Sequence, residues 1–286
     1  IPLKLEGAWD FSEGLAIIEL RGFKGFIDTK GAVIVKCQYE DAEPFEDGLA
    51  RVVRNEKMGL ISLTGDSITP CKYERIGKFS EGLACVLISG KVGFIDRYGN
   101  EVIAPIYDGT IQEMVRFQFL ESKAVVRKGK KYGVIDKTGT LVKAFEFELI
   151  DPIKDGRFAA KKKGKFGFFN ASGIDVIPTK YDDTWGFSEG MAAVKKDNHW
   201  GYINDADELV IPAEYDEASD FLPAGVAVVK RGDFKCVIDK SGEYLIPCLM
   251  DEIVVMENEV LRLEKVDKMA YFDLRTKQYM WRPLGF

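Results

Sequence analysis

Few residues in this 286-residue chain are suited to chemistry. There is one histidine, His199, and there are five cysteines. His199 precedes Trp200 in a polar turn, and the surrounding sequence offers no arrangement of the kind that a nucleophilic triad requires. The cysteines include no Cys-x-x-Cys pair, and the glycines form no G-x-G-x-x-G or Walker signature. We therefore predict no catalytic residue, no metal site and no cofactor.

A row of aspartates is the alternative source of chemistry. They are Asp28, Asp96, Asp136, Asp239 and Asp273, each at the end of a Gly/Cys/Ala-apolar-Ile/Phe block. Glycine stands three residues after Asp28, Asp96 and Asp136, at Gly31, Gly99 and Gly139. Aspartate bonds the backbone ahead of it and glycine adopts positive φ, so this spacing predicts turns. The alternative is a hydrolase that uses two carboxylates about 5–10 Å apart at the centre of a ring.

A repeat positions all of these residues. The block that ends in aspartate begins at positions 25, 59, 93, 133, 167, 201, 236 and 270, a spacing of 34 residues with one interval of 40 and one of 35. A second block, Phe-Ser-Glu-Gly-Leu-Ala at 11–16, recurs unchanged at 79–84 and with changes at 45–50 and 187–192. A third, Val-Ile-Pro followed by Tyr-Asp, ends the units at 176–182 and 210–216. This register predicts one repeat domain, 1–286, of eight units, the first of them incomplete at its N-terminus.

The consensus resembles the bacterial WG (or KWG) repeat family. The resemblance is carried by residues 187–192, by Trp200-Gly201-Tyr202-Ile203, and by residues 210–216. The family tryptophan is kept only at Trp200. Its place is taken elsewhere by Lys24, Met58, Val92, Tyr132, Phe166, Lys235 and Met269. The resemblance implies a β-rich repeat and leaves the activity undefined.

Each unit is predicted to be a three-stranded meander whose linker adds a short fourth strand. Leu15 and Ile17 point to one face of a strand, and Ala16 and Ile18 point to the other. Apolar residues on both faces indicate sheets packed on both sides, so we predict an all-β, propeller-like ring, with an open β-solenoid as the alternative. Residues 1–5 resemble the closing strand of a unit. The other strands of that unit could come from residues 261–280 and close the ring.

Lysines crowd one hairpin turn in three successive units. They are Lys128, Lys130, Lys131, Lys161, Lys162, Lys163, Lys165, Lys195 and Lys196. Stacked units would align these turns as a basic stripe for an anionic partner such as an acidic polysaccharide, a lipid headgroup or an acidic protein face. The alternative is a solvated edge that keeps the sheets soluble.

Two further features are candidate binding surfaces. The 40-residue interval places extra residues around 109–114, a loop that offers Met114, Arg116 and Phe117 as anchors for a partner. Trp9 and Trp185 occupy equivalent positions, two residues before Phe11 and Phe187, and could stack on sugar rings. Their alternative role is packing between units.

Composition narrows the function classes. A net charge of −6 argues against nucleic acid as a partner, and no apolar run is long enough to span a membrane. We therefore expect a non-catalytic scaffold that binds a protein or a carbohydrate. The chain starts at Ile1 in mid-repeat, which favours a processed protein of the cell envelope or a secreted one over a cytoplasmic one.

The cysteine positions point to packing. Cys37, Cys71 and Cys248 share one repeat position, which favours a small apolar residue in a packed slot. A disulfide between Cys37 and Cys71 is the alternative.

Overall fold

Antiparallel sheets follow one another along the chain in the computed structural model, which describes residues 5–286. Over that range there are eight sheets, seven with four strands and one with three, and consecutive strands are neighbours in each. The all-β tandem-repeat fold is thereby confirmed. The chain divides into a first unit that ends at Phe145 and a second that begins at Glu146.

The strand bounds follow the sequence repeat closely. The first three sheets are β1–β4 (Gly7–Ser12, Leu15–Leu20, Phe23–Asp28, Val33–Tyr39), β5–β8 (Asp41–Ala42, Leu49–Arg54, Lys57–Ser62, Ser67–Tyr73) and β9–β12 (Arg75–Ser80, Leu83–Ile88, Lys91–Asp96, Glu101–Asp108). A 3₁₀ segment, Ile111–Arg116, precedes the three-stranded sheet β13–β15 (Lys123–Lys128, Lys131–Asp136, Leu141–Phe147).

The sheets that follow lie in the second unit. They are β16–β19 (Leu149–Ile150, Arg157–Lys162, Lys165–Asn170, Asp175–Tyr181), β20–β23 (Asp183–Ser188, Met191–Lys196, His199–Ile203, Leu209–Tyr215), β24–β27 (Glu217–Ala218, Val226–Arg231, Phe234–Asp239, Tyr244–Met250) and β28–β31 (Glu252–Met256, Val260–Lys265, Lys268–Asp273, Gln278–Trp281). A second 3₁₀ segment, Glu257–Glu259, follows β28.

Two turns make each meander. In the first sheet the hairpin between β2 and β3 turns at Arg21 and Gly22, which both have positive φ, 56° and 74°. That combination suits a two-residue hairpin whose twist matches its strands. At the next turn Asp28 Oδ1 accepts hydrogen bonds from the backbone N–H groups of Lys30 and Ala32, at 2.9 and 2.8 Å. The same pattern recurs at Asp96, Asp136 and Asp239, so the turn interpretation of the aspartates is confirmed there.

Successive sheets pack face to face within each unit. Between the first two sheets, Leu15, Ile17 and Phe26 meet Phe45, Ala50 and their neighbours in one buried cluster. Ala16 and Ile18, on the opposite face of β2, are also buried, so the prediction of strands covered on both sides is confirmed. Four-stranded meanders packed in this way are the blades from which propellers are built, and the propeller-like architecture is favoured. Closure of a ring stays a prediction.

The last sheet contains its own outer strand. We expected residues 1–5 to complete it, but the position beside β30 is taken by β31, where Tyr271 lies opposite Trp281. The chain after Asp273 turns back and pairs locally. The contribution of residues 1–5 stays a prediction, because residues 1–4 lie outside the described residues.

Candidate functional site

Trp185 is the most exposed of the candidate tryptophans, and its backbone is held at a bulge. The register of β20 against β21 shifts between Thr184 and Gly186. The Thr184 hydroxyl donates to the Ala193 carbonyl at 2.7 Å and accepts from the Gly186 N–H at 3.1 Å. Gly186 has a φ of 85°, which favours glycine. The bulge turns the indole of Trp185 outward, where 59% of its surface is exposed.

Two contacts hold the indole of Trp185 in place. One face packs parallel to the ring of Trp200, with centroids 5.8 Å apart and planes 9° apart. The indole Nε1–H donates to the carbonyl of Ala218, in the next sheet, at 2.6 Å. The predicted packing between repeats is therefore present. More than half of the surface of Trp185 remains exposed to solvent.

Trp185 lines two grooves in the second unit of the chain, residues 146–286. The first, called here the Trp185 groove, has a volume of about 390 Å³ and is lined by Trp185, Glu217, Ala218, Ser219, Asp220, Val228, Val229, Lys230 and Lys235. The second, the Arg157 groove, has a volume of about 530 Å³, and its lining includes Asp151, Lys154, Arg157, Asp183 and again Trp185. The indole thus contributes to the lining of both grooves.

Ion pairs neutralise the charges around the Trp185 groove. Lys230 pairs with Glu217 at 3.0 Å, and this hydrogen bond raises the pKa of the Lys230 ammonium. Lys235 pairs with Glu252 at 2.5 Å. Asp220 accepts from Lys154, a residue of the Arg157 groove, at 2.7 Å. The groove therefore presents alternating donors and acceptors with little net charge.

Trp9 repeats this arrangement with a cation in place of the second indole. It is 45% exposed, and the Lys24 ammonium lies 5.0 Å from its ring centroid. Lys24 stands at the repeat position of Trp200 and also pairs with Asp41.

The predicted basic stripe is interleaved with acidic groups in the second unit. Lys162 pairs with Glu146 at 2.7 Å, and Lys165 pairs with Asp182. Lys161 and Lys195 lie over the rings of Phe166 and Trp200, at 5.2 and 5.9 Å. Lys128, Lys130, Lys163 and Lys196 are exposed, and Lys131 is partly buried.

The inserted segment does not present the predicted anchors. Met114 is 5% exposed and Phe117 is fully buried, both in the core cluster that also contains Phe94. The prediction is wrong for these two residues because the segment folds into a 3₁₀ turn that points them inward. Arg116 is partly buried. The apolar residues left at the surface are Ile111 and Val115, at 51% and 72% exposure.

The carboxylate of each Tyr-Asp or equivalent pair has a role that sequence analysis missed. It accepts a backbone hydrogen bond from the hairpin turn between the second and third strands, as Asp216 does from Gly232 N at 2.7 Å. Each of the eight described sheets has such a cap, made by Glu6, Glu40, Glu74, Asp108, Glu148, Asp182, Asp216 and Asp251. The spacing of 15 or 16 residues to the turn, lengthened to 21 at Asp108 by the insertion, was the available signal.

Serine of the Phe-Ser-Glu-Gly block joins one sheet to the next. Ser12, Ser80 and Ser188 each donate a hydroxyl hydrogen bond to the carbonyl of Phe45, Phe119 and Phe221 respectively, at 2.6–2.8 Å. In the first of these joints Glu13 also accepts from Gly48 N at 2.7 Å. These residues are structural.

A disulfide joins Cys236 and Cys248, whose Cα atoms are 4.3 Å apart. Cys37 and Cys71 are free, so the alternative disulfide between them is wrong. Cys236 replaces the repeat glycine, and the equivalent Gly59 would place a Cβ 3.0 Å from the sulfur of Cys71. The fold therefore brings these two repeat positions within reach of a disulfide.

The remaining candidates for chemistry lie apart from the grooves. His199 is exposed, with Nδ1 3.1 Å from the carbonyl oxygen of Asp197. In residues 5–286 no group of three or more His, Cys, Asp or Glu side chains is arranged to hold a metal ion. No helix in the same range is long and apolar enough to cross a membrane.

One family profile matches most of the chain. The profile of the WG containing repeat matches residues 1–22, 25–57, 58–91, 93–132, 132–166, 166–199 and 200–233. No curated protein sequence matches the chain.

Similar solved structures include a eukaryotic initiation factor (10% identity, 99% of this chain and 88% of that one, TM-score 0.45). They also include the dihydro-heme d1 dehydrogenase NirN (10%, 96% and 74%, 0.41) and Hsv2p of Kluyveromyces lactis (10%, 98% and 98%, 0.39). With TM-scores below 0.5, these likenesses carry no argument about function.

Proposed function

The chain belongs to the family of WG containing repeats, and on that premise we propose that this repeat scaffold binds a carbohydrate, without catalysis, at the Trp185 groove. The observation that carries the proposal is the exposed indole of Trp185. It is fixed by Trp200 on one face and by the Ala218 carbonyl at its N–H.

A fixed aromatic surface beside polar groups suits a sugar. Trp185 is a large, rigid contact surface, and little conformational entropy is lost when a ligand covers it. Val228 and Val229 add apolar lining, while Glu217, Asp220 and Lys230 supply acceptors and donors. A ligand site of mainly apolar surface with a few placed polar groups has this composition.

The charge balance of the groove favours a neutral sugar. Each of its charged side chains, Glu217, Asp220, Lys230 and Lys235, is in an ion pair with a residue of opposite charge. A sugar hydroxyl both donates and accepts, so it can bond to either member of such a pair without breaking it. An anionic ligand would have to compete with the carboxylates for the lysines.

Binding is tested by screening immobilised neutral and acidic oligosaccharides and measuring the affinity of hits by calorimetry. We expect a neutral oligosaccharide to bind the wild type and Trp185→Ala to weaken binding tenfold or more, with Trp185→Phe in between. Tyr98→Ala is the control, because Tyr98 is an exposed aromatic, at 81%, in a turn of the first unit. Equal binding by wild type and Trp185→Ala, or no bound glycan at all, contradicts the proposal.

The proposal that the groove does not cleave its ligand has its own test. Ion pairing of Glu217 and Asp220 supports a binding role, because both carboxylates are already engaged by lysine side chains. The bound glycan should be recovered intact after prolonged incubation with the protein. Its cleavage, lost in Glu217→Gln or Asp220→Asn, would instead favour the hydrolase alternative.

A further inference from the structure

Successive sheets are joined by one recurring aromatic contact. The phenylalanine of the second repeat block packs edge-on against an aromatic ring in the third strand of the preceding sheet. The pairs are Phe45 on Phe26, Phe119 on Phe94, Phe187 on Phe168 and Phe221 on Tyr202, with centroids 4.8–4.9 Å apart. The four inserted phenylalanines are at most 2% exposed.

The last sheet carries the receiving half of this joint. Strand register places Val260 opposite Asp273, as Leu15 lies opposite Asp28. It also places Tyr271 opposite Trp281, as Phe26 lies opposite Val35. Tyr271 therefore holds the position of the aromatic ring that receives a phenylalanine in the earlier sheets.

A large apolar groove lies at this position. It has a volume of about 790 Å³ and is lined by Val255, Met256, Glu257, Asn258, Val260, Tyr271, Met280 and Trp281. Four of these apolar side chains are 43–61% exposed. Contiguous apolar surface of this kind on a protein marks an interaction site. We call it the terminal socket.

The first sheet carries the inserting half. Phe11 occupies the repeat position of Phe45 and Phe187, yet it is 53% exposed. Trp9, two residues earlier on the same strand, is 45% exposed.

We propose that the terminal socket of one copy of the chain receives Phe11 of a second copy, so that the protein associates head to tail. The contact continues the joint that the fold already uses between its sheets. It is heterologous, with different surfaces on the two partners, and therefore can add further copies.

The terminal socket lacks one hydrogen bond that the joints between sheets of the same chain contain. Met256 lies opposite Val260, as Ser12, which donates to the phenylalanine carbonyl of the next sheet, lies opposite Leu15. Methionine has no hydroxyl proton to donate, so this bond is missing at the terminal socket. The association is therefore weaker than an internal joint and reversible.

Sedimentation velocity over a range of concentrations tests the proposal. We expect the wild type to shift from monomer to larger species, and Phe11→Ala and Trp281→Ala each to weaken association tenfold or more. Both side chains are half exposed, so neither truncation should unfold the chain. Phe23→Ala, an aromatic of the first sheet with 45% exposure, is the matched control and should associate like the wild type.

Mixing the two variants gives the decisive result. Phe11→Ala keeps the socket and Trp281→Ala keeps the phenylalanine, so an equimolar mixture should form dimers and no larger species. A wild type that stays monomeric at every concentration overturns the proposal. So does association that both variants retain, or a mixture that behaves like the separate variants.

Discussion

The joint between sheets can be tested by removing the same repeat phenylalanine at two sites. Phe45 and Phe11 share one repeat position, but Phe45 is 2% exposed against Phe26 and Phe11 is 53% exposed. Phe45→Ala removes a buried ring and leaves a cavity between the first two sheets. Phe11→Ala removes a ring that is already half in water.

The different burial of Phe45 and Phe11 predicts different losses of free energy of unfolding in the two variants. Truncating a buried phenylalanine to alanine lowers the free energy of unfolding by about 3–5 kcal/mol. For the half-exposed Phe11 the lost burial corresponds to about 1 kcal/mol. The hydrogen bond from Ser12 to the carbonyl of residue 45 uses the backbone and is kept in Phe45→Ala.

Urea unfolding followed by tryptophan fluorescence and circular dichroism measures the difference. Protein concentrations low enough for a monomer remove any contribution from association. We expect the midpoint of Phe45→Ala to fall well below that of Phe11→Ala. Equal losses in the two variants would refute the argument that burial between sheets is the function of this position.

Four other predictions follow from the contacts described. The side chain of Arg275 lowers the pKa of the Asp273 carboxyl from 3.8 to about 2, so its contribution to stability is present above about pH 4 and is lost as the pH falls toward 2. Asp273→Asn should flatten this part of an acid titration of stability, and an unchanged profile would contradict it. The oxidised protein, denatured without reductant, should show three thiols and after reduction five, and five before reduction would exclude the Cys236–Cys248 disulfide. Burial raises the pKa of the Cys85 thiol to about 11, so maleimide at neutral pH should label Cys37 and Cys71 in the folded protein well before Cys85. Ser188→Ala should cost about 1 kcal/mol by removing the hydroxyl bond to the Phe221 carbonyl, and Ser172→Ala is a control in an exposed turn.

The repeat made the fold predictable from the sequence. The spacing from Asp28 to Gly31 and the apolar residues on both faces of β2 are local signals, and each reappears in the structure as a turn or a packed face. Propensities and pattern agree at these positions, which is where sequence analysis succeeds.

Features that depend on side-chain direction could not be predicted from the sequence. The insertion before the fourth sheet was visible, but its length does not indicate that Met114 and Phe117 turn inward. The exposure of Trp185 depends on a bulge beside Thr184 that recurs at the same repeat position in the first and third sheets but leaves no mark in the residue spacing. The spacing of the repeat places Cys236 at the position of the repeat glycine but does not show that this position faces Cys248 on the neighbouring strand.

The capping carboxylates define where one module of this protein starts. Asp182 belongs by sequence to the Tyr-Asp end of one repeat, yet it closes a turn of the following sheet through Asp197 N. The sequence repeat and the folded sheet are therefore out of phase. A duplicated gene segment that starts at Asp182 and stops at Tyr215 would encode a whole sheet with its own cap, its own Phe187 and its own Ser188. A 34-residue segment cut elsewhere in the period and taken by itself would contain parts of two sheets.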